Sequence, residues 1–173
     1  AYGGINYGRL DEMGSLQWPC PDASHPGTPI LHVDKFGRGD KALLIPAAYQ
    51  ETAEITDAEY PLILTTGRVL AQYHTRTMTG KSEGINKLAG KSFVEIHPED
   101  ADNLCICNGD MVTVASRRGE VKVEAKVTDD IKKGVIFMPF HFADGPANML
   151  TNAAMDPQAK IPELKACAAK VSK

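Results

Sequence analysis

The feature that most constrains the fold is the strict alternation of apolar and charged residues over residues 121–127, VKVEAKV. A period of two places all the apolar side chains on one face of a β-strand. Short β-prone runs also occupy residues 62–66, 92–97, 111–116 and 135–140, separated by turn-forming residues such as Gly67, Asn108-Gly109 and Gly134. Several short strands at close spacing predict a mainly β fold with a small closed barrel.

Helices are expected to be few and short. Pro98 with Glu99 and Asp100 suits the first helical turn, which predicts a helix over residues 98–104. The run over residues 135–140, VIFMPF, is apolar throughout and predicts a strand buried on both faces. Residues 147–173 contain a possible helical turn at their start, but pattern alone assigns no element to the rest.

The N-terminal part of the chain has a different texture. Runs such as WPCPD and HPGTP combine proline, which lacks an N–H donor, with glycine, which resists ordering. Long regular elements are therefore not expected there. The predicted organisation is an extended irregular arm over residues 1–58, followed by a barrel domain over residues 59–173.

Net charge and hydropathy exclude some classes of binding partner. The formal charge is −3, so no overall positive field attracts nucleic acid or an anionic membrane. No apolar run reaches the roughly 18 residues that span a bilayer, and the first residues lack a secretory pattern. The four scattered cysteines favour reduced thiols over a disulfide framework. We expect a soluble cytoplasmic protein with no nucleic-acid partner and no membrane insertion.

Two segments could carry chemistry. Residues 65–79, TTGRVLAQYHTRTMT, crowd guanidinium, imidazole, amide and hydroxyl groups between regular elements, which suits a ligand rich in phosphate and carbonyl acceptors. A solvated polar loop is the alternative. Residues 140–142, FHF, follow an apolar run and precede Asn148, so they should emerge at the barrel rim. Packing aromatics are the usual interpretation of such a cluster, and ligand contact is the alternative.

Other motifs are weak or absent. Cys105 and Cys107 are spaced too closely for a usual zinc pair, and neither Cys20 nor Cys167 obviously completes a site. The chain has no C-x-x-C cluster for iron–sulfur ligation and no glycine-rich phosphate cradle of the common nucleotide-binding folds. No metal ligand and no catalytic residue is assigned.

The ordered segments TTGRVLAQYHTRTMT, FVEIHPEDADNL, GDMVTVASRRGEVKVEAKVTDDIKKGVIFMPFHF, ANMLTN and DPQAKIPELKACAAKV resemble the C-terminal domain of formate dehydrogenase catalytic subunits. The arm segments GINYGRLDEMGSLQWPCPD and HPGTPILH are similar to the stretch that precedes that domain. The resemblance is to the molybdopterin oxidoreductase family, which also includes nitrate reductases. It implies a double-psi β-barrel that closes over a bis(molybdopterin guanine dinucleotide) cofactor carrying molybdenum or tungsten.

The resemblance also implies which residues contact the cofactor. The family's first loop aligns with residues 66–75, and its rim and C-terminal contacts align with Phe140, Asn148 and Lys165. The implied cofactor-binding residues are Thr66, Gly67, Arg68, Val69, Leu70, Ala71, Gln72, Tyr73, His74, Thr75, Phe140, Asn148 and Lys165.

The catalytic parts of such an enzyme have no match in this chain. In the family, formate is oxidised to carbon dioxide at the metal and an iron–sulfur cluster takes the electrons, through motifs of the N-terminal and central domains. The resemblance therefore implies those domains and an electron-transfer subunit as partners, and an isolated chain without activity. A nitrate reductase domain and a binding module without catalytic partners are the alternatives.

Overall fold

A computed structural model describes residues Ala1–Lys173, which form two compact units, Ala1–Tyr49 and Gln50–Lys173. The first unit contains one helix, α1 (Tyr7–Met13), and otherwise turns and irregular chain. Helix α1 begins at Asn6, whose side-chain oxygen accepts a hydrogen bond from the backbone N–H of Arg9 at 3.1 Å. The Arg9 guanidinium donates to the carbonyl oxygens of Gly4 and His25, which holds this unit together locally. The predicted boundary between residues 58 and 59 stays a prediction.

The second unit is built on six strands: β1 (Leu62–Gly67), β2 (Phe93–Ile96), β3 (Met111–Ser116), β4 (Gly119–Val127), β5 (Val135–Pro139) and β6 (Cys167–Ser172). They form a closed barrel in the order β1-β5-β2-β4-β3-β6. The pairs β1·β5 and β2·β4 are parallel, and the other four pairs are antiparallel. The mainly β closed barrel that the strand pattern predicted is confirmed, and with it the double-psi β-barrel that the resemblance implied.

The helices of this unit are short. They are α2 (Glu83–Leu88) and α3 (Pro98–Asn103), with single 3-10 turns at Thr79–Lys81 and Ala147–Met149. Helix α3 confirms the helix predicted after His97, whereas α2 was not predicted. Strand β6 lies in the segment to which pattern assigned no element. No helix is long and apolar enough to cross a membrane.

The core lies inside the barrel. Strand β4 buries Val121, Val123 and Ala125 and exposes the charged residues between them, as its alternation predicted. The prediction that residues 135–140 are buried on both faces is wrong in part. Ile136 and Met138 are fully buried, but Val135 and Phe137 are half-buried because they point to the outer face of the sheet.

The segment that precedes β1 is tied to the β3–β4 turn by ion pairs. Glu54 and Asp57 accept hydrogen bonds from Arg117, and a carboxylate oxygen of Glu54 lies 2.8 Å from Arg118 Nη2. Burial acts to raise the pKa of Glu54, but its interactions with the two arginines outweigh burial and lower that pKa. Residues from Glu54 onward are therefore anchored to the barrel through named contacts.

Candidate cofactor-binding site

Three segments meet where β1 and β5 end. These strands run in parallel with Gly67 opposite Pro139, so the loops that follow them leave from the same end of the barrel. The N–H of Phe140 donates to the carbonyl of Gly67 at 3.1 Å, which fixes the two loop origins against each other. Strand β6 runs antiparallel to β1 with Cys167 opposite Leu64, so the residues just before β6 also reach this end. We call it the cleft end.

Gly67 leaves room for the Phe137 ring at the last position of β1. A Cβ atom there would lie 2.6 Å from Phe137 Cε2, well inside van der Waals contact. A side chain at this position would therefore force the Phe137 ring or the β1 backbone to shift at the point where the two loops begin.

Seven of the predicted cofactor-binding residues line one cleft of about 540 Å³ at this end. They are Thr66, Arg68, His74, Thr75, Phe140, Asn148 and Lys165. The loop after β1, the loop after β5 and the segment before β6 all contribute, as the resemblance implied. The volume falls in the range of small-molecule sites. The cleft could therefore hold only one part of a cofactor that consists of two dinucleotides.

Side-chain contacts hold the lining residues in place. The Phe140 ring lies 5.4 Å from the Arg68 guanidinium carbon and 5.9 Å from the His74 ring, in an edge-on arrangement. Thr66 donates its hydroxyl to the carbonyl of Leu164 at 2.7 Å, and Lys165 Nζ donates to the carbonyl of Thr66. The end of β1 and the segment before β6 are thus joined in both directions.

The loop after β1 also contains unusual backbone. His74 and Arg76 have φ angles of 45° and 63°, in the left-handed region that non-glycine residues rarely adopt. Such conformations cost free energy and persist where the surrounding structure imposes them, often at binding sites. The Arg76 guanidinium, held by the side-chain oxygen of Asn86 at 2.9 Å, lies over the Phe142 ring at 5.0 Å.

The cleft is electrostatically one-sided. Its ionisable lining residues are Arg68, His74, His141 and Lys165, and no carboxylate lines it. Guanidinium and ammonium groups without acidic partners attract anions, above all phosphate. Arg68 and Lys165 are exposed at the rim, so their charges are available to a ligand.

His141 lines this site but was not among the predicted cofactor-binding residues, although ligand contact was one of the two interpretations of residues 140–142. Its side chain lines the cleft and is only 7% exposed, yet neither ring nitrogen has a hydrogen-bond partner. Burial lowers the pKa of His141, and the charges of Arg76 and Arg68 act in the same direction. The backbone of His74 opposes that shift but lies outside hydrogen-bond geometry. The only signal in the sequence was its place between Phe140 and Phe142 at a strand end.

The other predicted residues lie outside the cleft. Val69, Leu70 and Ala71 line a separate open groove of about 770 Å³, and Tyr73 is 74% exposed. Gln72 is buried, and its side-chain amide donates to the carbonyl of Ala89 at 2.6 Å and accepts from the Thr79 hydroxyl at 2.6 Å. Any contact that Gln72 makes with a cofactor must therefore use its backbone. The assignment of all thirteen residues stays a prediction.

Comparison with known proteins agrees with this geometry. The family model described as "Molydopterin dinucleotide binding domain" matches residues 62–168, which include strands β1 to β5 and the first two residues of β6. The chain belongs to this family. The match covers every predicted cofactor-binding residue and His141, so the cleft lies within the molybdopterin dinucleotide binding domain.

Full-length relatives extend the match to the N-terminal unit. The chain is 51% identical to "F420-dependent formate dehydrogenase subunit alpha" of Methanocaldococcus jannaschii, over 99% of this chain and 26% of that protein. It is 53% identical to "F420-dependent formate dehydrogenase 1 subunit alpha" of Methanococcus maripaludis, with the same coverages. Identity to the "Assimilatory nitrate reductase catalytic subunit" of Bacillus subtilis is 41%, over 98% of this chain and 24% of that protein. The chain spans about a quarter of the length of these relatives.

A solved structure supports the fold. Acetylene hydratase from Pelobacter acetylenicus superposes with a TM-score of 0.58 at 21% identity, over 66% of this chain and 18% of that chain. At that identity the likeness concerns the barrel architecture alone.

The residues present fit a pterin dinucleotide. Its phosphates need cations, which Arg68 and Lys165 supply, and its ring edges need paired donors and acceptors. The unpartnered nitrogens of buried His141 offer one such donor and one acceptor. No three His, Cys, Asp or Glu side chains are grouped so that they could hold a metal ion, and Cys105 and Cys107 are free and exposed.

Proposed function

We propose that this chain is the C-terminal cofactor-binding portion of a molybdenum- or tungsten-dependent formate dehydrogenase, and that its cleft holds part of a bis(molybdopterin guanine dinucleotide). The observation that carries the proposal is the meeting of three separate segments in one cleft whose ionisable lining residues are all basic. Formate is preferred as the substrate of the complete enzyme because the formate dehydrogenase relatives are 51% and 53% identical, against 41% for the nitrate reductase.

The chain's own residues bind and orient the cofactor. Arg68 and Lys165 neutralise phosphate charge, and Phe140 offers an apolar face against which a ring system can stack. Thr75 and Asn148 add a hydroxyl and an amide at the rim, where they can pair with ring-edge groups. The bound metal of the cofactor supplies the redox chemistry.

The remaining parts of the proposal concern the complete enzyme. The N-terminal and central domains supply the metal ligand and the iron–sulfur cluster, and an electron-transfer subunit accepts the electrons. The isolated chain does not oxidise formate. We place the enzyme in the cytoplasm, in keeping with the scattered free cysteines.

A matched pair of lysine substitutions tests the binding role. In the complete catalytic subunit, Lys165→Ala should lower the guanine and pterin content per polypeptide, because it removes a cation from the cleft. Lys133→Ala, which changes another exposed lysine at the other end of the barrel, should leave both contents unchanged. Arg68→Ala should behave like Lys165→Ala.

The readouts are released guanine nucleotide, the fluorescence of the oxidised pterin, and elemental analysis for molybdenum and tungsten. Thermal unfolding of each variant separates lost cofactor from lost fold. Unchanged cofactor content in both cleft variants would contradict the proposal. An upstream coding sequence without cluster cysteines would favour the non-catalytic binding module instead.

A further inference from the structure

His141 is a buried polar side chain whose ring nitrogens make no hydrogen bond within the protein, although the backbone of His74 lies near enough to oppose the lowering of its pKa. Both of its ring nitrogens are closed to water and lack a hydrogen-bond partner, although buried polar groups are paired in the great majority of cases. The ring is held between aromatic neighbours, with centroids 5.3 Å from Phe140 and 4.7 Å from Phe142. A neutral imidazole in this position forfeits one donor and one acceptor in the free protein.

Protonation does not relieve this cost. The charged groups that surround the ring are the guanidinium groups of Arg68 and Arg76, and the titratable ring of His74 lies on the same loop. Burial and these cations lower the pKa of His141, which keeps the ring neutral at physiological pH. A neutral ring carries one N–H and one bare nitrogen, which is the complement of an amide-like edge.

The position of the unpaired group points to a ligand. Two side chains near this cleft contain buried nitrogens without a partner, His141 and Arg76, and both contact the Phe142 ring. The only other buried side-chain atom without a hydrogen-bond partner is Glu54 Oε2, and it forms an ion pair with Arg118 at 2.8 Å. Unpaired polar groups thus concentrate where the cleft lies, among residues that line it or support its lining.

We propose that His141 contacts the cofactor and selects for a ring with an amide-like edge, one ring nitrogen donating to the ligand and the other accepting from it. This inference rests on the proposed function. Because both nitrogens are covered in the free chain, binding must shift a covering side chain. His74 and Arg68 are exposed and contact the Phe140 ring, which is itself a neighbour of the His141 ring.

The inference predicts that one substitution separates stability from binding. His141→Phe keeps an aromatic ring and removes both unpaired nitrogens, so the free 173-residue chain should unfold at the same temperature or higher. Its affinity for guanosine diphosphate, used here as the probe, should fall about tenfold through the loss of paired hydrogen bonds. His141→Gln, which retains a donor and an acceptor, should recover part of the affinity.

His97 provides the matched control. It also follows a strand, but its Nδ1 accepts from the backbone N–H of Glu99 at 3.2 Å and so already has a partner. His97→Phe should lower the unfolding temperature and leave affinity for guanosine diphosphate unchanged. The opposite signs of the two His→Phe variants distinguish a ligand-contacting residue from a structural one.

Titration calorimetry and thermal unfolding provide the measurements, and the ring ¹⁵N resonances of His141 should shift when guanosine diphosphate is added. Unaltered affinity in His141→Phe, or a loss of unfolding temperature like that of His97→Phe, overturns the inference alone. If the unaltered chain does not bind guanosine diphosphate, both this inference and the proposed binding role fail.

Discussion

The two parallel strand pairs of the barrel, β1·β5 and β2·β4, share a backbone arrangement but differ in the side chains that follow them. At the cleft end, where β1 and β5 finish, the N–H of Phe140 donates to the carbonyl of Gly67 at 3.1 Å. At the opposite end, where β2 and β4 finish, the N–H of Thr128 donates to the carbonyl of Ile96 at 3.0 Å. We call the latter the helix end because α3 begins there. The local backbone geometry is therefore repeated, and the contrast lies in the side chains that follow.

At the helix end, polar groups are paired within the protein. His97 and Asp100 accept from the backbone N–H groups of Glu99 and Gly134, and Asn108 accepts from that of Val127 at 2.9 Å. The cleft at this end carries both signs of charge. The ionisable residues that line the cleft at the cleft end are all basic, and the ring nitrogens of His141 make no hydrogen bond. The same arrangement of strands therefore supports one end at which these polar groups are paired within the protein and another at which a buried group lacks a partner.

The largest expected effect tests whether the two parallel strand pairs are stabilised by one hydrophobic core. Leu64 in β1 and Ile96 in β2 are both fully buried in one core. Leu64→Ala and Ile96→Ala should each lower the free energy of unfolding by about 2–5 kcal/mol, through lost burial and the cavity left behind. Urea unfolding of the 173-residue chain provides the measurement. A much smaller loss for either variant would mean that the two pairs do not depend on one core.

A medium effect tests the contrast between the ends. Asp100 is buried and accepts from the N–H of Gly134 at 2.6 Å. Asp100→Ala leaves that N–H unpaired and should cost about 1–3 kcal/mol of stability, without changing ligand affinity. Asn148, exposed at the cleft end, should show the reverse: Asn148→Ala should change stability by no more than about 0.5 kcal/mol and weaken cofactor retention. Similar stability losses for both variants would remove the distinction.

Most strands of the barrel were predictable from the sequence, because the alternation that indicates a strand is local. The alternation in β4 and the short runs of β1, β2, β3 and β5 depend on a period of two that neighbouring residues reveal. Strand β6 escaped assignment because CAAKVS offers little alternation and pairs with β1 and β3, both distant along the chain. Helix α2 lies in a polar segment with no buried residue, so no apolar stripe announced it.

The cleft was predictable only through resemblance. Composition made residues 65–79 a donor-rich loop, and nothing local joins them to Phe140, Asn148 and Lys165. These residues meet because β1 pairs in parallel with β5 and antiparallel with β6. The lack of hydrogen-bond partners at His141 could not be predicted, for a related reason. An unpaired nitrogen is a property of everything packed around it, and the sequence around His97 looks no less suited to a binding role.

The smallest expected effect concerns the contribution to acid stability of one ion pair at the helix end, Glu99 with Lys133. Glu99 accepts from Lys133, and this hydrogen bond lowers the pKa of Glu99 below its ordinary value of 4.5. Because the folded-state pKa is the lower one, the pair stabilises the fold above pH 4.5 and that contribution disappears as pH falls through the folded-state pKa. The pair is exposed, so the effect should be small and should weaken with salt.

Glu99→Gln should therefore lower the unfolding temperature slightly at neutral pH and flatten its decline in acid. Lys165→Ala, at the end without acidic lining residues, should leave the acid decline unchanged because it removes no ion pair. Unfolding temperatures measured across the acid range at low and high salt test both expectations. An acid decline that changes in Lys165→Ala but not in Glu99→Gln would place the titrating pair at the cleft end and reverse the comparison.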